Sequence, residues 1–235
     1  KIERATYTPP TPAFPGVTVL EDFPLEEIKK YIDWTPFFQA WELAGKYPAI
    51  LTDEVVGEAA TDLFKDVNKL MDEAIKGKWL QANGVIGLWP ANTVEDDLIE
   101  IYEDDTRSTV IKTLITRRQQ QQKAAGLPNI SLSDFIAPKE SGVKDYIGGF
   151  AVTGGMNIET KLEEFEANHD VYNSIMLKAL ADRFAEAFAE CLHHKVRTQY
   201  WGYASDENLN NEDLIKESYQ GIRPAPGYPA CPEHS

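Results

Sequence analysis

The segment VYNSIMLKALADRFAEAFAECLHHKV, residues 171–196, decides the architecture. Along it Tyr172, Ile175, Met176, Ala179, Leu180, Phe184, Ala187, Phe188, Leu192 and Val196 recur with the period of a helix that buries one side over its whole length. Ala181, Ala185 and Ala189 are small enough to let a neighbour pack closely. The helical pattern reaches back to Glu159 and forward to about Trp201, as one helix or as two broken near Asn168-His169-Asp170. Strand-like runs at 84–90, 98–102, 109–116 and 146–152 are separated by turn residues, and an antiparallel meander is their simplest connection. Gly148 and Gly149, inside the last run, permit close backbone approach. The pattern predicts a long central helix together with a set of antiparallel strands.

Residues 1–24 carry Pro9, Pro10, Pro12, Pro15 and Pro24 and read as an extended arm, a linker that docks on the domain at 25–235. Leu25, Ile28, Tyr31 and Ile32 mark a short amphipathic helix ending near Trp34-Thr35-Pro36. Asp33, at the unfavourable end of that helix dipole, calls for a partner. A second helix is predicted from Asp53 to about Ile75, with Val55, Ala59, Leu63, Val67, Leu70, Met71 and Ala74 as its apolar stripe. The stretch 117–128, with Gln119 to Gln122, reads as a solvated helix turn, and residues 131–138 read as a turn. Asn210 or Asn211 caps a last short helix through Leu214, Ile215 and Tyr219.

Charge and composition exclude several classes. Twenty-three Lys+Arg against 38 Asp+Glu give a net charge of −15 over 235 residues, the opposite of a nucleic-acid-binding footprint. No apolar stretch reaches the roughly 20 residues of a membrane span, so neither a nucleic acid nor a membrane is expected as a partner. Hydrophobic residues at 43% support a folded core. Cys191 and Cys231 lack metal-ligand spacing, and a reducing, cytoplasmic setting is the expectation. The Lys1 start and the Pro-Glu-His-Ser end suggest a piece of a longer polypeptide.

Residues 221–232 read Gly-Ile-Arg-Pro-Ala-Pro-Gly-Tyr-Pro-Ala-Cys-Pro. Each proline fixes its own φ and biases the residue before it toward extended geometry, so the ribbon is nearly preorganised. Free backbone donors near Arg223 are few, with Ala225, Gly227 and Tyr228 next in line. Arg223 brings a planar fork that can hold a carboxylate through two hydrogen bonds. On composition alone, a Pro-rich connector with a surface arginine is an equal reading.

The ribbon resembles the AdoMet-binding signature Arg-x-x-x-Gly-Tyr of the activation domain of cobalamin-dependent methionine synthase. Tyr31-Ile-Asp33-Trp-Thr-Pro-Phe-Phe, Leu43-Ala-Gly-Lys-Tyr-Pro, Gly84-Val-Ile-Gly-Leu-Trp-Pro-Ala-Asn, Asp134-Phe-Ile-Ala-Pro, Phe150-Ala-Val-Thr-Gly-Gly and Lys178-Ala-Leu-Ala-Asp-Arg-Phe-Ala-Glu-Ala-Phe-Ala-Glu resemble that family in the same order. The resemblance implies an α+β fold, a single domain with a bent antiparallel sheet flanked by helices and a long central helix. It also implies a reactivation module that presents S-adenosylmethionine when the cobalamin of a methyltransferase has been oxidised to cob(II)alamin. The implied partners are the cobalamin-binding domain of the same polypeptide and flavodoxin or a related flavoprotein as electron donor. By the same resemblance Arg223 clamps the ligand carboxylate and Asp33 pairs with its ammonium. Tyr228 and Ala225 hydrogen-bond the ligand, and Glu217 and Glu186 are weaker candidates for the polar rim. Family members continue past the Pro-Glu-His segment with an aromatic pair that helps enclose the ligand, so the C-terminus reads as truncated. A docking cap for the cobalamin domain or flavoprotein, without AdoMet binding, is the alternative function.

Other signals carry less. No G-x-G-x-x-G follows a strand, and Gly148-Gly149 and Gly154-Gly155 match a phosphate loop weakly. His193 and His194 point about 100° apart on a helix and read as surface histidines rather than zinc ligands. Docking of an acidic flavoprotein requires a local basic patch, for which Arg117, Arg118, Lys123, Lys195 and Arg197 are the candidates.

Overall fold

The computed structural model describes residues 7–232. Its centre is strand β2 (Gln81–Val94), paired along one edge with β5 (Asp145–Met156). The other edge is shared. β1 (Gly16–Leu20) takes Gly84 to Leu88, and β3 (Leu98–Tyr102) takes Ala91 to Val94, with β4 (Val110–Ile115) beyond it. Pro90, which has no N–H to donate, sits where β1 has ended and β3 has not begun. The pairings among these five strands are antiparallel, and β2, β3 and β4 form the expected meander.

Of the two readings of the long helical stretch, the broken one holds. Helix α4 (Glu159–Ala167) stops before Asn168-His169-Asp170, and α5 (Val171–Lys195) begins with the Asp170 side chain accepting from Asn173 N–H. A π-helical turn at Val196–Tyr200 continues α5. Met176, Leu177, Leu180, Phe184, Phe188 and Leu192 are buried in the main core, whereas Tyr172 and Ile175 are exposed. Each fully buried Leu or Phe here contributes roughly 1.5–3 kcal/mol.

The alanines of α5 find their partner in β5. A Cβ at Gly154 would lie 2.4 Å from the Ala185 amide nitrogen, and one at Gly155 would lie 2.9 Å from the Ala181 Cβ. Backbone therefore lies against backbone, which only glycine on the strand and alanine on the helix allow. Of the two glycines expected to permit close approach, Gly148 is crowded by Leu88, whose Cδ2 a Cβ there would meet at 2.8 Å, whereas Gly149 faces open space. Gly154 and Gly155 seat the central helix.

Several local expectations are corrected. Part of the Pro-rich arm is a strand: residues 16–20 are β1, and Ala13 and Phe14 bond to Trp201 and Tyr200 through their backbones. The first helix is one α turn, α1 (Leu25–Ile28), followed by a 3₁₀ turn at Lys29–Tyr31. Thr35-Pro36 then opens helix α2 (Thr35–Ala40) instead of ending a helix, because proline suits a first turn. Helix α3 (Gly57–Gly77) begins later than Asp53, leaving Val55 and Ala59 exposed while Ala60 is buried. Residues 117–128 form no helix. Gln119 is buried and pairs with Ile130 through its backbone N–H and its side-chain oxygen. Helix α6 (Asn211–Ile215), capped by Asn210, stops short of Tyr219.

Replacing Gly154 with alanine forces β5 away from α5, and a loss of about 1–3 kcal/mol is expected from urea unfolding. Gly149→Ala, on the same strand with open space around it, should change stability by less than about 0.5 kcal/mol.

Candidate functional site

The ribbon at 221–232 is preorganised by turns, not by extension. Ala225-Pro226-Gly227-Tyr228 closes with Tyr228 N–H on Ala225 O at 3.0 Å, Pro at the second position and Gly227 at φ +95°. Tyr228-Pro229-Ala230-Cys231 closes likewise, with Cys231 N–H on Tyr228 O at 2.9 Å. Gly227 N–H donates to Cys231 O at 2.8 Å. Two of the three backbone donors expected to be free, those of Gly227 and Tyr228, are thus used inside the ribbon. Gly221, at φ +104°, lets the chain pass the Tyr203 hydroxyl, which a Cβ there would meet at 2.6 Å.

A cleft of about 260 Å³ lies beside this ribbon, lined by Arg223, Glu217, Tyr219, Tyr228, Phe135 and Ile130 among others. The Arg223 guanidinium turns toward α5, where Nη2 donates to Glu190 Oε2 at 2.8 Å. Nη1 of Arg223 and Oε1 of Glu190 are buried without a partner. Burial pushes the Glu190 pKa above the usual carboxylate value, and the neighbouring Arg223 and Arg197 offset only part of that rise.

Beneath the cleft lies a buried polar network. Arg197 is fully buried; its Nε donates to Glu207 Oε2 at 2.9 Å and its Nη2 to Glu207 Oε1 at 2.7 Å. Its guanidinium stacks 4.0 Å from the Tyr219 ring centre. Nη1 lies 2.7 Å from His193 Nδ1. A guanidinium only donates, so Nδ1 must accept and the neutral imidazole carries its proton on Nε2. Burial, then Arg197 and Arg223, push the His193 pKa down to about 3. His193 is therefore a buried acceptor and not a surface histidine. His194, half-buried, has Tyr31 Oη at 2.9 Å from its Nδ1.

The structure places the predicted site residues as follows. Arg223, Glu217 and Tyr228 line the one cleft. Ala225, beside it in the ribbon, is exposed and its carbonyl accepts from Tyr228. Asp33 is not among the lining residues; its Oδ1 accepts from Thr35 N–H at 2.9 Å, at the start of α2, where the helix dipole favours an anion. The next segment over is nevertheless shared, because Asn211 donates to Ile32 O at 3.2 Å and the chain runs from Asn211 to Glu217 at the cleft. Glu186 is exposed on α5, one turn before Glu190. Glu190 is the residue sequence reasoning missed. Its spacing of four from Glu186 puts both on one helix side, and only the fold shows which one meets Arg223. Glu233 and His234, part of the signature segment, lie outside the described residues.

The basic candidates for a docking patch are mostly engaged. Arg118 binds Asp134 and Asp97, Lys195 binds Glu27 at 2.7 Å, Lys123 binds Gln119, and Arg197 is internal. Arg117 is exposed. Among the described residues no group of His, Cys, Asp and Glu could hold a metal ion, and no helix is long and apolar enough to cross a membrane.

The fold is α+β, with Arg223, paired to Glu190, beside a turn-stiffened cleft. A family model described as vitamin B12 dependent methionine synthase, activation domain, matches residues 24–235. A solved structure described as the MetH reactivation domain bound to AdoHcy is 57% identical, with a TM-score of 0.93, over 99% of this chain and 70% of that one. The chain belongs to the family of activation domains of vitamin B12-dependent methionine synthase.

The neutral state of His193 has a consequence in solution. Between pH 6.5 and about 3 the unfolded chain holds a proton at this position that the folded chain does not, so stability falls as pH drops through that window. Urea midpoints at pH 6.5 and 5.0 should show His193→Asn, which keeps an acceptor near Arg197, to have the shallower pH dependence. The difference should approach one proton, at most about 1.4 kcal/mol per pH unit. Equal slopes would mean that His193 titrates alike in both states.

Proposed function

We propose that this chain binds S-adenosylmethionine at the ribbon cleft and serves the reductive methylation of cobalamin within a longer methionine synthase. The cleft itself carries the reading: Arg223, with one guanidinium nitrogen lacking a partner, shares it with Glu217 and the Tyr219 and Tyr228 rings. That set matches a ligand with a zwitterionic amino-acid end and a flat apolar base. Family membership supports it, as does the match to a reactivation domain bound to AdoHcy, the demethylated form of the same ligand.

In this reading Arg223 takes the ligand carboxylate. Glu217 offers an acceptor at the rim and Tyr228 an aromatic wall with a hydroxyl. Asp33 takes the ammonium, and Ala225 meets the ligand through its backbone. Glu186, on the exposed side of α5, stands at the outer rim. Cobalamin, held by a neighbouring domain of the same polypeptide, supplies the metal centre that accepts the methyl group, with an electron from flavodoxin or a related flavoprotein. This domain contributes binding and orientation, so methyltransferase activity belongs to the whole enzyme.

Titration calorimetry tests the reading. The domain should bind S-adenosylmethionine, and Arg223→Ala should weaken binding at least about tenfold, the loss of one or more charge-assisted hydrogen bonds. Circular dichroism should show the variant folded. A wild-type domain that takes up no ligand would leave the docking-cap function in its place.

A further inference from the structure

We propose that Glu190 is a positioning residue for ligand binding: its ion pair with Arg223 fixes the guanidinium so that the unpartnered Nη1 is left for the ligand carboxylate. The inference rests on the S-adenosylmethionine reading and deepens it.

Arg223 stands on a ribbon held by turns, without a helix or sheet ladder of its own. A flexible four-bond side chain there has many directions open to it, including toward Glu217, which lines the same cleft. Glu190 removes that freedom. It stands on the 25-residue helix α5, its side chain is only 12% exposed, and its Oε2 holds Arg223 Nη2 at 2.8 Å. The contact is one-sided. Nη1 of Arg223 and Oε1 of Glu190 remain buried and unpartnered, so the pair is not a closed two-bond fork. A fork closed on Glu190 would leave Arg223 little to offer a second carboxylate, whereas the one-bond arrangement keeps half of the guanidinium for it. Helix α5 is itself fixed near this point by Arg197, one turn beyond His193, through Glu207 and Tyr219. Glu190 is thus a stable reference from which Arg223 is aimed.

Two ligands separate positioning from general support: S-adenosylmethionine and its decarboxylated analogue, which lacks the group Arg223 would hold. Calorimetry on the wild-type domain, Glu190→Ala, Glu190→Gln, Arg223→Ala and the Glu190→Ala/Arg223→Ala double variant gives the comparison. Glu190→Ala should weaken S-adenosylmethionine about tenfold and leave the analogue within about twofold. The double variant should bind no more weakly than Arg223→Ala, because Glu190 acts through Arg223. Glu190→Gln, which keeps an acceptor for Nη2, should show a smaller loss of the same kind and carries the test if Glu190→Ala does not fold. Equal losses for both ligands, or no loss for either, would overturn the inference while S-adenosylmethionine binding by the wild type stands. A wild-type domain that binds neither ligand would remove the underlying reading, and this inference with it.

Discussion

The Arg197 guanidinium is the constraint on which the functional end of the molecule depends. A fully buried cation costs several kcal/mol in lost hydration unless its donors are matched, and here each donor face meets a different segment. Glu207 comes from the loop after α5, His193 from the preceding turn of α5, and Tyr219 from the approach to the ribbon. One side chain therefore ties the end of the central helix to the chain that carries Arg223. Removing Glu207 would strand a buried charge, and removing His193 would leave a buried donor unmatched. The matching also fixes the protonation of His193, since only the neutral ring can accept from a guanidinium at 2.7 Å.

How much of this was legible in the sequence follows from the range of the interactions involved. The period of α5 and its break at residues 168–170 are local signals, and both are found. The strands 98–102 and 110–115 follow from short apolar runs between turn residues. What was not legible depends on partners distant in sequence. β1 is five residues inside a Pro-rich arm, and only the free edge of β2 makes it a strand. The close approach of β5 to α5 joins Gly154 and Gly155 to Ala185 and Ala181, small residues whose pairing only the fold reveals. Asp33 was read at the end of one helix, although two residues later Pro36 starts another, so the same carboxylate moves from the unfavourable to the favourable pole of a helix dipole.

The site shows the same division. Arg223 and the turn-forming Pro-Gly pattern are visible as sequence, because φ restrictions are local. Their geometry was misjudged only in form: proline followed by glycine with positive φ closes a turn, where proline alone would extend the chain. Glu190 and the Arg197 network carried no sequence signal. A glutamate and an arginine on a long helix are by default solvent-facing, and their burial is decided by residues 207, 219 and 223, which return to the helix from the far end of the chain.

Charge sets a further condition on the docking of an acidic flavoprotein, the proposed electron donor. At −15 the domain repels another polyanion at long range, so steering cannot raise the encounter rate. Screening shortens that repulsion to about 8 Å at physiological ionic strength, which leaves contact-scale complementarity as the term that can favour docking. Arg118, Lys195 and Arg197, however, are already paired with carboxylates of this chain, and releasing them would expose Asp134, Glu27 or Glu207 in exchange. A docking face for an anionic partner therefore has to draw on cations outside these pairs or on apolar contact, and it gains from high salt, which weakens the global repulsion more than a close-packed contact.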